Sequence, residues 1–277
     1  MGVPLLLVDA FTDGPFSGNP AAVCLLPAWR DDRWLQSLAA EMKHSETAYL
    51  VRNADGFDLR WFTPAIEVAL CGHATLASAH ALWEQGVVPA DAVIRFATKS
   101  GTLTATPRNG RIELDFPLNP EEPVEPPAEL LPALGVTARY VGKSRFDYLV
   151  EVESEAIVRK MTPDFRRLAG APVRGTIVTS RSTDPRFDFV SRFFAPAAGI
   201  DEDPVTGSAH CCLAAYWQKR LGKNEFVAYQ ASPRGGIVHV RVVNDRVLLG
   251  GQAVTVLKGE LSNRAVESAG WPGCQGD

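Results

Sequence analysis

With 277 residues, of which 46% are hydrophobic and 22% charged, the chain has the composition of a folded globular protein rather than a disordered one. Its net charge of −4 comes without a run of Lys or Arg, which argues against nucleic acid as a partner. No apolar stretch reaches the length that a bilayer requires. We therefore expect no nucleic-acid partner, no membrane contact and a cytoplasmic location.

The cysteines and the glycine motifs give no sign of a metal or a cofactor. The five cysteines are too few and too scattered for a disulfide framework or a zinc site: Cys24, Cys71, Cys211, Cys212 and Cys274. The sequence contains neither a Gly-x-Gly-x-x-Gly fingerprint nor a P-loop. It predicts no cofactor and no metal site.

Along the chain, local patterns predict an amphipathic helix and several strands on both sides of the first buried helix. The helix spans Asp32–Lys43 and carries its apolar side chains on one face. Alternating apolar runs predict strands over Ala48–Val51, Phe57–Phe62, Val93–Ala97, Thr102–Thr106 and Arg111–Phe116. Two further helices, Ala74–Gln85 and Ala209–Lys219, are small or apolar nearly all round, which is typical of buried helices. We expect a twisted sheet around each of them.

The second half of the chain repeats the first. Segment Phe57–Leu114 matches Phe187–Leu249, and Gly72, Asn109 and Arg111 correspond to Gly207, Asn244 and Arg246 at a constant offset of 135. The Arg-Trp-Phe-Thr-Pro motif that begins at residue 60 matches the motif at residue 192, an offset of 132, so the second copy carries three extra loop residues. An offset held over this length indicates a duplicated fold.

A proline-rich segment separates the two copies. Pro117–Pro132 contains six prolines, which suit neither a helix interior nor a central strand. We therefore predict two halves, 1–117 and 118–265, followed by a flexible tail over 266–277. The fold class expected is α+β, with two pseudo-symmetric domains.

Both buried helices begin in a turn of small residues, Cys71-Gly72-His73 in one copy and Thr206-Gly207-Ser208 in the other. The first N–H groups of a helix have no internal partner and carry partial positive charge, and glycine lets a ligand approach them. Each turn suits a carboxylate or a phosphate. The alternative interpretation is a pair of plain tight turns.

Glu46 stands between the first helix and the strand that begins at Ala48. A glutamate in such a place is usually a solvated loop residue. The other interpretation is a single carboxyl that serves as general acid and base.

Four ordered motifs resemble the phenazine-biosynthesis PhzF-like family: Val8-Asp9-Ala10-Phe11-Thr12 with Gly18-Asn19-Pro20, Ser45-Glu46-Thr47-Ala48, Cys71-Gly72-His73-Ala74-Thr75, and Glu202–His210. The resemblance covers nearly the whole chain. It implies a fold similar to diaminopimelate epimerase, with a barrel-like sheet around a central helix in each half and the active site between the halves. It also implies a cofactor-independent isomerase, a small carboxylate substrate and a homodimer.

The resemblance assigns roles to particular residues. It implies that Glu46 shuttles the proton and that His73, Asp203 and Ser208 have auxiliary or substrate-binding roles. Weaker candidates for substrate binding are Asn19, Arg234 and Gly235, beside the backbone of Gly72 and Gly207. Two more residues are possible pocket residues, Cys71 and Thr206.

The cysteines separate the alternatives. A two-base epimerase of this fold carries a cysteine before the glycine of each helix opening, whereas this chain has Cys71 in one place and Thr206 in the other. We therefore favour a proton shift carried by one carboxylate over racemisation, epimerisation or dehydration with Cys71 as a base. A protein that binds a ligand without turnover is the third hypothesis.

Overall fold

The computed structural model describes residues 2–171 and 173–270. In chain order the first elements are β1 (Val3–Ala10), β2 (Asn19–Leu26), α1 (Asp32–Met42), β3 (Glu46–Asn53), β4 (Gly56–Phe62), β5 (Glu67–Val68), α2 (Gly72–Glu84), β6 (Ile94–Thr98), β7 (Gly101–Arg108) and β8 (Arg111–Pro117). Among the described residues, 2–115 and 251–270 form one compact unit, and Phe116–Gly250 the other.

The remaining elements are β9 (Glu122–Pro123), α3 (Leu130–Leu134), β10 (Ala138–Lys143), β11 (Asp147–Val152), α4 (Glu155–Lys160), α5 (Phe165–Leu168), β12 (Gly175–Arg181), β13 (Phe189–Ala195), β14 (Ile200–Asp203), α6 (Gly207–Leu221), β15 (Glu225–Gln230), β16 (Gly236–Val243), β17 (Arg246–Gly251), β18 (Ala253–Leu261) and α7 (Asn263–Glu267). A short 3-10 helix, Pro196–Ala198, lies between β13 and β14. No helix in the described ranges is both long and apolar enough to cross a membrane.

The two units share the order of the strands around the central helix and the pairings of those strands, although the second unit adds β9 and α3 and has α4 and α5 in place of α1. In the first, β2 and β3 are parallel, β3 and β4 antiparallel, β4 and β6 parallel, and β6 and β7 antiparallel. The second unit repeats that series: β11 and β12 are parallel, β12 and β13 antiparallel, β13 and β15 parallel, and β15 and β16 antiparallel. The repeat in the sequence is therefore also a repeat of topology.

A buried helix lies at the centre of each unit. In the first unit α2 packs against β1, β2, β3, β7 and β18, and every residue from His73 to Ala79 is buried. In the second unit α6 is buried from Ala209 to Trp217. Because both helices are small or apolar nearly all round, the strands can approach them closely from every side. This is the arrangement that the sequence predicts.

The end of the second unit differs from the limits expected from sequence. Residues 253–261, which we expected to belong to the second half, form β18 and pair with β1 of the first unit. Pro132, expected outside helices, lies in the first turn of α3, where a missing N–H leaves no intrahelical bond unmade. Of the predicted tail, residues 271–277 lie outside the described residues, and the Ala265 carbonyl just before it accepts a hydrogen bond from the Trp34 indole.

Candidate functional site

The opening of α2 consists of a buried cysteine, a glycine and a buried histidine. Cys71 is the N-cap in an extended conformation and makes no side-chain capping hydrogen bond. The Thr75 hydroxyl donates to the Cys71 carbonyl at 2.5 Å and fixes this residue at the first turn. Because no side chain caps it, the helix start keeps its amide groups for a negatively charged partner.

The crossover between the parallel strands β2 and β3 places Glu46 at this opening. The chain leaves β2, passes through α1, and enters β3 at Glu46, which pairs with Ala21 of β2. Lys43 ends α1 in the left-handed region at φ 53°. The Glu46 side chain is only 13% exposed, and its Oε2 lies 3.2 Å from Nε2 of His73. Glu46 is therefore not a solvated loop residue.

The His73 ring lies between Glu46 and two other side chains. Its Nδ1 lies 3.1 Å from the amide nitrogen of Asn19 and 3.6 Å from the Cys71 sulfur. Asn19, the first residue of β2, is fully buried, and the Ser45 hydroxyl donates to its carbonyl oxygen at 3.5 Å. When Asn19 donates to Nδ1, the neutral imidazole carries its hydrogen on Nε2, facing Glu46.

Burial and charge shift the two titratable neighbours of Glu46. Burial raises the pKa of the Cys71 thiol to about 11, and the nearby Glu46 carboxylate acts in the same direction. Burial opposes the charged form of His73, but the Glu46 carboxylate, together with Cys71 when its thiol is ionised, raises the His73 pKa above its usual value. Near neutral pH the thiol is protonated, which makes Cys71 a poor base.

In the second unit, Gln230 ties the start of α6 to the segment before it. Its carbonyl oxygen accepts from the Thr206 amide at 2.8 Å, and its amide nitrogen donates to the Asp203 carbonyl at 2.7 Å. The Thr206 hydroxyl donates to the Asp203 carboxylate at 2.5 Å. The Asp203 side chain is thereby held beside the N-cap of α6, which itself makes no side-chain capping bond.

An arginine that we did not single out from the sequence also lies at the start of α6. Arg174 donates to the Ser208 hydroxyl at 3.0 Å and makes a two-pronged ion pair with Asp147, at 2.9 and 2.5 Å. Asp147 is fully buried, and its burial raises its pKa despite the arginine. The position of Ser208 therefore depends on a pair whose partners are 27 residues apart.

The Arg234-Gly235 segment is fastened to the same part of the second unit. The Ser232 hydroxyl donates to the Pro204 carbonyl at 2.8 Å and accepts from the Gly235 amide at 3.1 Å. Gly235 has φ +67°, and a Cβ there would lie 2.1 Å from the Tyr229 hydroxyl. A glycine is therefore required at this turn, which leads into β16.

The predicted site residues thus form two groups, each within one unit. Asn19, Glu46, Cys71, Gly72 and His73 lie together in the first unit. In the second unit the group comprises Asp203, Thr206, Gly207, Ser208 and Gly235. Their catalytic and binding roles stay predictions. Sequence analysis missed Gln230 and Arg174, since neither lies in a motif.

His210, one turn into α6, gives a pH-dependent prediction. It is fully buried, and burial lowers its pKa to about 4, against a hydrogen bond of its Nδ1 with the Thr206 carbonyl. Between pH 6.5 and 4 the unfolded chain binds a proton that the folded chain does not, so folding stability falls as the pH falls.

We expect the wild type to lose about 2 kcal/mol more than His210→Asn when the pH drops from about 7.5 to about 5. Urea unfolding of both proteins at the two pH values measures the difference. Equal losses would show that His210 does not carry this pH dependence. Comparing the two proteins cancels the contributions of the other histidines.

The chain resembles proteins of known family and fold. The sequence model of the family described as phenazine biosynthesis-like protein, PhzC-PhzF, matches residues 8–259. A protein of Halalkalibacterium halodurans named an uncharacterized isomerase is 56% identical over 262 residues, which are 94% of this chain and 99% of that relative. The match thus extends through both units.

Comparison with solved structures agrees with this family match. The crystal structure of a PhzF-family phenazine biosynthesis protein from Enterococcus faecalis has a TM-score of 0.90 at 41% identity and covers 95% of this chain and 100% of that chain. A probable proline racemase from Agrobacterium radiobacter, with a TM-score of 0.64 at 13% identity over 97% of this chain and 96% of that chain, shares the fold alone. The predicted α+β, epimerase-like fold class is confirmed. The chain belongs to the phenazine biosynthesis-like PhzF family and is an isomerase.

Proposed function

We propose that this isomerase moves a proton within a small carboxylate-bearing amino or hydroxy acid, without a cofactor, and that Glu46 is its single acid and base. The observation that supports this most is the Glu46 carboxylate, 13% exposed and 3.2 Å from His73, beside the uncapped start of α2. A carboxylate in this position lies beside the His73 ring and also beside the helix start, where the substrate carboxylate would bind.

The neighbours of Glu46 support complementary roles. The backbone N–H groups of Gly72 and His73 are suited to the substrate carboxylate, because the helix start carries partial positive charge. The His73 ring, with its Nε2 3.2 Å from the Glu46 carboxylate, is suited to hold that carboxylate in place and to stabilise negative charge developing on the substrate.

The state of Cys71 supports the one-base mechanism over its alternative. With a pKa of about 11, the thiol is ionised in about one molecule in ten thousand at pH 7. A racemase that uses a thiol as one base needs a much larger ionised fraction. Thr206, at the matching position in the second unit, has no thiol at all.

The test is a proton-exchange screen by NMR. Small amino and hydroxy acids, saturated and unsaturated, are incubated in D₂O with wild type, Glu46→Gln and Cys71→Ser. Exchange that requires Glu46 and preserves optical purity supports the proposal. Exchange with inversion that survives Glu46→Gln and disappears in Cys71→Ser would establish the racemase instead, and saturable binding without exchange would establish a binding protein.

The roles of Asp203 and Ser208, the homodimer and the cytoplasmic location stay predictions. Variants Asp203→Asn and Ser208→Ala in the same screen test the first two.

A further inference from the structure

Three side chains with metal-binding atoms meet at the opening of α2. One ligand atom from each of Glu46, Cys71 and His73 lies within 4.8 Å of the other two. The three residues belong to two segments, the start of β3 and the start of α2, and only the fold brings them together. This explains why their sequence spacing predicted no metal site.

Two separations within this cluster are close to those between the ligand atoms of a tetrahedral ion. Zn²⁺ bonds of about 2.3 Å to sulfur and about 2.0 Å to nitrogen or oxygen place neighbouring ligand atoms roughly 3.3–3.6 Å apart. The Cys71 sulfur lies 3.6 Å from His73 Nδ1, and Glu46 Oε2 lies 3.2 Å from His73 Nε2. These two distances run to opposite nitrogens of the ring, so the imidazole must turn before one nitrogen joins the sulfur and the carboxylate around a single ion.

Two of the atoms are buried without hydrogen bonds. Among the described residues, Glu46 Oε2 and His73 Nε2 face each other but neither has a hydrogen-bond partner of acceptable geometry. His73 is only 4% exposed. Buried polar atoms of this kind carry a desolvation cost, and coordination of a cation would remove it.

The donor set selects the kind of ion. One thiolate, one imidazole and one carboxylate are the ligands of Zn²⁺ and Co²⁺, whereas Mg²⁺ and Ca²⁺ require oxygen ligands. Three protein ligands leave a fourth position for water or for a carboxylate bound at the helix start.

We propose that Glu46, Cys71 and His73 form a binding site for Zn²⁺, and that the bound ion inhibits the enzyme by occupying the carboxylate that moves the proton. Binding of the ion stands on the geometry alone, and the inhibition rests on the proposed function. The proposed function requires no metal ion, so in this proposal the ion acts only as an inhibitor.

The binding test uses Co²⁺ as a spectroscopic probe. One equivalent of Co²⁺ added to metal-stripped wild type should produce a thiolate-to-cobalt charge-transfer band and the strong visible bands of tetrahedral cobalt, and Zn²⁺ should displace them. Cys71→Ser should remove the charge-transfer band, and His73→Gln should weaken binding at least tenfold. Cys24→Ala, which removes another buried cysteine in the same unit, is the matched control and should bind as wild type.

A measurement on the unmodified protein protects the test against misfolded variants. X-ray absorption of the wild-type Zn²⁺ complex should show one sulfur and otherwise nitrogen or oxygen ligands. No saturable binding in wild type, a shell without sulfur, or equal binding by Cys71→Ser would overturn the site.

Inhibition is measured separately from binding. Stoichiometric Zn²⁺ should slow proton exchange at least tenfold, and a chelator should restore it. If the cobalt spectrum appears but no substrate ever exchanges, the proposed function fails and the site stands. If exchange continues at full rate with Zn²⁺ bound, the inhibitory role is overturned while the proposed function stands.

Discussion

Replacing Glu46 with Gln should lower the rate of proton exchange by about 10²–10⁴-fold, the usual contribution of a general acid or base. The amide has nearly the same size and stays beside His73, but it cannot accept and return a proton. Rates come from the decay of the substrate C–H signal in D₂O, with enzyme concentration adjusted for the slow variant.

Two controls separate loss of chemistry from loss of structure. Glu46→Gln should melt close to the wild-type temperature, since the isosteric amide leaves the packing of β3 unchanged. Cys71→Ser should lose less than tenfold, because the thiol is already protonated at neutral pH. A Glu46→Gln enzyme that keeps more than a tenth of the wild-type rate would rule out this carboxylate as the acid and base.

Replacing Arg174 with Met should lower the free energy of unfolding by about 3 kcal/mol. The change leaves the fully buried Asp147 carboxylate without its cation, and breaking a buried pair from one side typically costs about 3–5 kcal/mol. We expect the lower end because Arg174 itself is 40% exposed and water can replace part of the interaction. Urea unfolding at neutral pH measures the difference.

Arg167 offers the matched control. It forms an ion pair of the same kind with Glu129, at 2.6 Å, but neither side chain is buried: Arg167 is 47% and Glu129 68% exposed. Arg167→Met should therefore lower the free energy of unfolding much less than Arg174→Met does. Equal effects of the two substitutions would mean that burial of Asp147 does not determine the strength of the Arg174 pair.

Much of the fold is predictable because the sequence contains two copies of the same pattern. The small, apolar faces of α2 and α6 predict buried helices, and the constant offset between the two copies predicts a repeated topology. The return of β18 to β1 is different: the strand has an ordinary local pattern, and nothing in that pattern identifies the strand beside which it lies. The limits of the second domain therefore could not be predicted from the local sequence pattern of β18.

The site is predictable to the extent that its residues lie in motifs. Glu46, His73 and Asn19 lie in three separate motifs. Their spacing along the sequence does not connect them, but the resemblance to the PhzF-like family does. The Arg174–Asp147 pair and the bonds of Gln230 join segments between 24 and 27 residues apart, and no periodicity relates them. The proximity of Cys71, His73 and Glu46 likewise results from the packing of the first turn of α2 against β3, which no local sequence pattern predicts.

The claim that one glutamate carries the proton is tested most directly by following a labelled hydrogen. A substrate identified in the exchange screen is deuterated at the carbon that loses its proton, and a single turnover is run in ordinary water. We predict that part of the deuterium appears at the receiving carbon of the product, because the same carboxyl takes it up and delivers it. Complete loss of the label together with inverted configuration would show two bases at work and would contradict the mechanism.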